Sequence, residues 1–304
     1  MVDRAVDRLM SLSEGDRGVL DVVACGRQAV SRLRTLLFQR EPSGLFQPRC
    51  RVVEALALLG AYDVLIEFFV ADRTIADPVE RAGEDAVLNA TARALHDVAD
   101  ETIILRLLSL AETRRLAGPI EVLGALRRVE ALPCLVAALA DDVARPAAED
   151  AIRQFGNDAA LALIAASTER TPQDGSESES SRRRRRAALA LLTEIGDPVA
   201  TSGQQRSEWI NDYDAQIAVE GCRVALRSGD PVERQVAIRR LIDLLPTAPW
   251  HVQRDIEERL VEHAADARPL VRDRARAAAP AEGDFSAKAD AQRRLNRIAH
   301  RLES

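Results

Sequence analysis

The sequence predicts an all-α chain, an α-α superhelix of about 14–16 helices, on three observations. The first is a phrase that recurs four times: a small-residue-rich apolar stretch, a turn, then a second apolar stretch. It reads EALALLG over residues 54–60 followed by Val64, Leu65 and Phe68, then EVLGAL over 121–126 followed by Ala131, Leu132, Leu135 and Leu139. It returns as AIRQFG over 151–156 followed by Ala160, Leu161 and Ile164, and as LLTEIG over 191–196 followed by Val199. The second is its spacing. The apolar residue before each turn falls at Leu59, Val98, Leu126, Phe155 and Ile195, so the gaps are 39, 28, 29 and 40 residues. The last gap shortens to 29 without the 11-residue polar segment 171–181. The third is that no window alternates with period two for long enough to argue a strand.

Each element follows from local chemistry. Residues 16–38 read as one long amphipathic helix broken near Gly26, and residues 1–46 as N-terminal helices that cap the stack. Over 47–170 each unit is a helix pair whose apolar stripe cannot be buried alone, so neighbours must stack. Ala55, Ala125, Ala131, Ala148, Ala151, Ala160 and Ala188 are the expected positions of close helix approach. Residues 171–181, TPQDGSESESS, lack apolar anchors and read as a disordered insert. Helical repeats continue over 182–279, with helices at 214–228, 231–245, 251–265 and 268–279. Pro231 and Pro269 are expected in first turns, where a missing N–H is tolerated. Residues 280–304 end in an amphipathic capping helix at 287–302. The chain as a whole reads as a single solenoid.

The stretch 118–167 resembles HEAT-like repeats of the bacterial and archaeal type. In that family an Ala-Leu helix meets a Gly-Asp or Gly-x-x turn, an Ala-Leu-x-x-Leu helix follows, and an Asp with a basic or small residue opens the next unit. Asp141, Asp142 and the run Gly156, Asn157, Asp158 match the pattern, whereas Arg127 and Arg128 replace the usual Gly-Asp and Pro146 stands where Val-Arg is common. The resemblance is specific over residues 54–195. It implies a scaffold that binds a protein partner along a concave face.

Composition fits that expectation. Of the 304 residues 47% are hydrophobic but only 3% aromatic, so small aliphatic side chains must do the packing. The formal net charge is −6 and the isoelectric point near 5.5, far from the basic balance of nucleic-acid-binding domains. Residues 61–181 carry 11 basic and 22 acidic groups, the rest 31 and 26, so an acidic stretch could dock a basic partner tail. Basic residues are arginine except Lys288. Cys25, Cys50, Cys134 and Cys222 are widely spaced and read as buried free thiols rather than disulfides or a metal site. There is no 18-residue apolar run, and charges stand in residues 1–8 where a signal peptide needs apolar ones. The expected location is cytoplasmic, with no membrane partner.

The strongest candidate for binding chemistry is the run Arg182, Arg183, Arg184, Arg185 and Arg186. It could be a solvated helix start paired with Asp174, Glu177 and Glu179. It could instead contact phosphate, since clustered guanidinia bind it well, or await phosphorylation of Ser176, Ser178, Ser180 or Ser181. Cations at a helix N-terminus oppose its macrodipole, so the helix itself does not need them there.

No catalytic residues are identified, and neither a metal nor a cofactor is implied. His96, His251, His263 and His300 form no HxxxH, HxH or His-Glu pair; the reversed Glu262-His263 does not match the His-Glu pairs of iron-holding HEAT-repeat hydroxylases. Gly15, Gly18 and Gly26 lack the spacing and lysine of a phosphate loop. Two enzyme families share this repeat class. Alkylpurine glycosylases use tryptophans, an acidic residue and basic contacts, residue types that Trp209, Asp212, Tyr213, Trp250 and Asp255 supply. Bilin lyase subunits share the repeat, but no residue here carries their chemistry. The expectation is a non-enzymatic scaffold with a protein partner, the alternative a nucleic-acid-binding or DNA-repair protein with an arginine-rich groove.

Overall fold

In the computed structural model, which describes residues 1–174, 176–195, 203–277 and 287–303, the protein is all-helical. The described residues form eighteen α-helices, four 3-10 turns and one two-residue-per-strand hairpin. The helix count exceeds the expected 14–16 partly because the expected helix 16–38 divides at Gly26, whose φ of 67° ends it. The chain separates into two compact units, Met1–Phe155 and Gly156–Ser304.

The first unit contains α1 (Val2–Met10), α2 (Gly15–Ala24), α3 (Val30–Phe38), α4 (Gln47–Leu58) and α5 (Tyr62–Val70). It continues with α6 (Pro78–Ala94), α7 (Glu101–Thr113), α8 (Ala117–Ala125), α9 (Leu132–Ala138) and α10 (Arg145–Phe155). The helices pack in two rows in chain order. One row runs α2, α4, α6, α8, α10 and the other α3, α5, α7, α9, each helix against its next-but-one neighbour. The repeat anchors Leu59, Leu126 and Phe155 fall at the ends of α4, α8 and α10, whereas Val98 closes a 3-10 turn beyond α6, whose cap is Leu95. Leu56, Ala92 and Leu123, each three positions before its helix cap, and Ile152, three before Phe155, are all completely buried and form the recurrent core position.

Two local signals recur at the helix ends. After α4 and α8 the chain turns through a left-handed residue, Gly60 (φ 66°) and Arg127 (φ 50°). In both turns the next amide reaches back to the helix: Ala61 N–H to Leu56 C=O at 2.9 Å, and Arg128 N–H to Leu123 C=O at 3.2 Å. Such back-bonds satisfy carbonyls that the helix end leaves open. At the starts, Asp77 accepts from the Val79 and Glu80 amides and Asp100 from Ile103, standard N-cap chemistry. Of the alanines expected at close approaches, Ala55, Ala131, Ala148 and Ala151 are fully buried, but Ala125 faces solvent. The neighbouring Gly124 makes the approach instead: a Cβ there would lie 2.5 Å from that of Ala151 on α10.

The second unit contains α11 (Ala160–Thr168), the strands β1 (Pro172–Gln173) and β2 (Ser176–Glu177), and α12 (Glu179–Ile195). Then come α13 (Gly203–Ile210), α14 (Ala215–Leu226), α15 (Pro231–Leu244), α16 (Trp250–Glu262), α17 (Ala264–Ala277) and α18 (Ala287–Glu303). Here α12, α14, α16 and α18 pack in succession, while α11 meets α13 and α15 meets α17. The core between them includes Cys222, Ile238, Leu241, Ile256, Leu260, Val271 and Leu295. Asp214 and Asp230 cap α14 and α15, and Pro231 takes the first turn as expected. Pro269 does not: α17 begins five residues before it, so the proline sits inside the helix. The apolar stretch expected at Val199 and the end of the expected helix 268–279 lie outside the described residues.

The segment 171–181 is corrected by the structure. Apart from residue 175, which is not described, it holds an antiparallel hairpin with Pro172 opposite Glu177 and Gln173 opposite Ser176, then enters α12 at Glu179. Glu177, Ser178 and Ser181 are buried. Its anchors are hydrogen bonds, which a reading based on missing apolar residues does not register.

Candidate functional site

The five consecutive arginines occupy the first half of α12, and the helix turn sends them to different partners. Arg182 donates to Glu179 Oε2 at 2.7 and 3.0 Å, and Arg183 lies 3.5 Å from the same carboxylate. Arg184 reaches the Glu169 carbonyl at 3.2 Å and its carboxylate at 3.3 Å. Arg186 grips both oxygens of Asp214, the N-cap of α14. Burial pushes the Asp214 carboxyl up, but the Arg186 guanidinium and the Ile217 and Gln216 amides outweigh it and hold it below the usual carboxylate range.

Arg185 is the centre of the arrangement. It is only 2% exposed, and its three nitrogens go to three places. Nε donates to the Ser167 carbonyl near the end of α11 at 2.9 Å, Nη1 to Glu177 Oε2 at 2.9 Å, and Nη2 to Asp212 Oδ2. The surroundings complete the network. Ser181 Oγ donates to Glu177 Oε1 at 2.7 Å and Tyr213 Oη to Glu177 Oε2 at 2.6 Å. Arg170 donates to Asp212 Oδ2 at 2.9 Å while its guanidinium lies over the Tyr213 ring, and the Asp214 amide donates to Asp212 Oδ1 at 2.9 Å. Burial first, then Glu177, pushes the Tyr213 phenol up. A guanidinium beside the exposed carbonyls of a helix C-terminus meets the negative end of that helix's macrodipole. Arg185 therefore serves α11, not the start of its own helix.

The same device occurs elsewhere. Arg49 on α4, 5% exposed, donates from Nε and Nη2 to the Leu37 carbonyl near the end of α3 at 3.1 and 2.7 Å and from Nη1 to Glu84 on α6 at 2.7 Å. Arg106 on α7 reaches the Phe69 and Ala71 carbonyls at the end of α5 and just past it, and Arg240 on α15 those of Ile210 and Asp212 at the end of α13 and just past it. Other guanidinium–carboxylate pairs bridge neighbouring helices of a row at repeat-like separations: Arg93 with Glu121, Arg206 with Glu233, Arg234 with Asp266. Sequence reading missed these roles. The available signal was the spacing itself, since basic and acidic residues recur 27 to 32 positions apart.

Chemically the buried network is a clamp. Both carboxylates spend their oxygens on Arg185, Arg170, Ser181, Tyr213 and a backbone amide. The residues weighed for glycosylase chemistry are not assembled. Trp209 is buried at 1% exposure, Trp250 is exposed against His251, and Asp255 pairs with Arg259 on its own helix. Trp209 Nε1 has no hydrogen-bond partner among the described residues. Cys222 is free and fully buried, and burial pushes its thiol up to about 12, out of the nucleophilic range. Among the described residues no group of three or more His, Cys, Asp and Glu side chains is placed to hold a metal, and no helix is long and apolar enough to cross a membrane. Comparison with known protein families and with characterised proteins finds no match for this chain.

Proposed function

We propose that this protein is a non-enzymatic, HEAT-like helical-repeat scaffold that binds a protein partner along the face of its stacked helices. The observation that carries this reading is the packing within each unit, where helices succeed one another in rows and touch chiefly their neighbours. Such rows present long surfaces to solvent without enclosing a reaction chamber. The arginine run, the sequence basis of the nucleic-acid alternative, is engaged by carboxylates and carbonyls, which weakens that alternative.

The test is affinity capture of the full chain from native lysate with and without nuclease, followed by hydrogen exchange on the recovered complex. A protein that stays bound after nuclease and protects row helices of one unit supports the reading. Nucleic acid as the sole co-purifying species, lost steeply with added salt, replaces it.

A further inference from the structure

One cleft in the first unit has a chemistry that the scaffold reading does not use. It lies where the loop after α5 meets the start of α6 and the end of α7, and has a volume of about 460 Å³. Four guanidinia line it: Arg73, Arg81, Arg106 and Arg114. Three of them are held in place by the protein. Arg73 donates to Glu84 Oε1 at 2.9 Å and stacks on the Phe38 and Phe68 rings at 4.9 and 4.3 Å. Arg106 is tied to the Phe69 and Ala71 carbonyls, and Arg114 to Asp85. The exposed Arg81 guanidinium makes no hydrogen bond or ion pair among the described residues, although its charge, with that of Arg114, pulls the Asp85 carboxyl down against the larger rise that burial causes. Thr74, Ser109 and Thr113 share the wall; the Thr113 hydroxyl donates to the Ser109 carbonyl at 2.6 Å, which leaves those of Thr74 and Ser109 as donors.

The local charge is positive. Glu84 is shared between Arg49 and Arg73, so that trio keeps one positive charge, and Arg106 faces carbonyls rather than a carboxylate. With Arg81 the surplus exceeds the single carboxylate, Asp72, on the cleft wall. Planar guanidinia fixed by second partners, beside hydroxyl donors, suit an oxyanion with several free oxygens. The surroundings narrow the choice. Residues 61–155 carry 10 basic and 17 acidic groups, so a long polyanion leaving the cleft meets repulsion, whereas one terminal group does not.

We propose that this cleft binds a phosphomonoester, with Arg81 and Arg106 as its principal contacts. The group could sit on a small metabolite or on a phosphorylated side chain of a protein, and the two sources share this recognition chemistry. The inference stands apart from the scaffold reading, because free phosphoserine is a sufficient probe.

The experiment titrates the full chain with inorganic phosphate, phosphoserine and a phosphoserine peptide by calorimetry, with chloride at equal ionic strength and the unphosphorylated peptide as controls. Phosphate and phosphoserine are expected to bind, and Arg81→Gln to weaken both by about tenfold. The exposed Arg81 side chain holds no other element in place, so that variant keeps its fold, checked by circular dichroism; Arg254→Gln, at an exposed arginine of the other unit, leaves binding unchanged. A phosphopeptide that binds more tightly than phosphoserine identifies a protein-borne group, and equal affinity a small metabolite. Absence of binding beyond the chloride control, or equal affinity in wild type and Arg81→Gln, overturns the proposal.

Discussion

Arg127 occupies the left-handed backbone position that Gly60 fills two helices earlier in the same row, with φ of 50° and 66°. An L-residue with a Cβ costs roughly 1–2 kcal/mol there, whereas glycine does not. The arginine recovers part of this through one long hydrogen bond, 3.4 Å from its Nη2 to the Phe155 carbonyl. Arg127→Gly is therefore expected to raise stability by about 0.5–1 kcal/mol. Gly60→Ala should lower it by about 1 kcal/mol; a Cβ at Gly60 meets no atom within 4 Å, so backbone strain is its sole cost. Urea midpoints of the two variants check both signs; a destabilised Arg127→Gly would mean that the Phe155 contact outweighs the strain.

At the scale of the element, the arginine run shows why five identical neighbours are not equivalent. A helix advances 100° per residue, so successive side chains point to different partners. Arg182 and Arg183 end on a half-exposed carboxylate within their own turn, whereas Arg185 points inward to tie the hairpin, the end of α11 and the turn before α14. Exposed pairs of the first kind contribute about 0–1 kcal/mol. Removing Arg185 leaves the buried Glu177 without a cationic partner and Asp212 with Arg170 alone, which costs about 3–5 kcal/mol. We expect Arg185→Met to destabilise by that amount and Arg182→Met by less than about 1 kcal/mol. Adding Glu177→Gln and Asp212→Asn to Arg185→Met should recover much of the loss, because the stranded charges are then gone. Thermal melts of the single and triple variants decide it: a triple variant less stable than Arg185→Met would show that geometry, not charge, dominates the clamp.

For the whole molecule, the many arginine–carboxylate pairs set a pH dependence. Hydrogen bonds from arginine or backbone amides hold Asp141, Asp214, Glu67, Glu80 and Glu179 below their ordinary values, and the Ser228 hydroxyl, then Arg206, does the same for Glu233. A carboxylate depressed in the folded state contributes stability that is fully present above its unfolded value, about 4, and is lost as pH falls through the folded value. Asp85 runs the other way, because burial raises it despite Arg114 and Arg81, and so slightly offsets the trend. The urea midpoint should therefore fall continuously below about pH 4 as these six groups protonate. A midpoint that held or rose on acidification through that range would contradict the pairing.

How much was legible beforehand follows from the range of each interaction. Glycine turns, aspartate caps, the 3.6-residue apolar period and the repeat register act within a few residues, so all-α architecture and most helix positions could be read directly. The break at Gly26, Pro231 in the first turn of α15 and the helix at 287–302 are of this kind. The fate of the arginines was not, because Arg185 meets Asp212 across 27 residues and Arg40 meets Glu80 across 40, distances that only helix packing closes. The pairing of Pro172–Gln173 with Ser176–Glu177 is illegible in the sequence for the same reason: its anchors, Arg185 and Tyr213, come from later elements. Local stereochemistry thus determined that the chain is helical and repetitive. Tertiary packing decided which guanidinia are consumed as clamps and which remain around the cleft at Arg81, since a long flexible side chain has no fixed partner until its neighbours are in place.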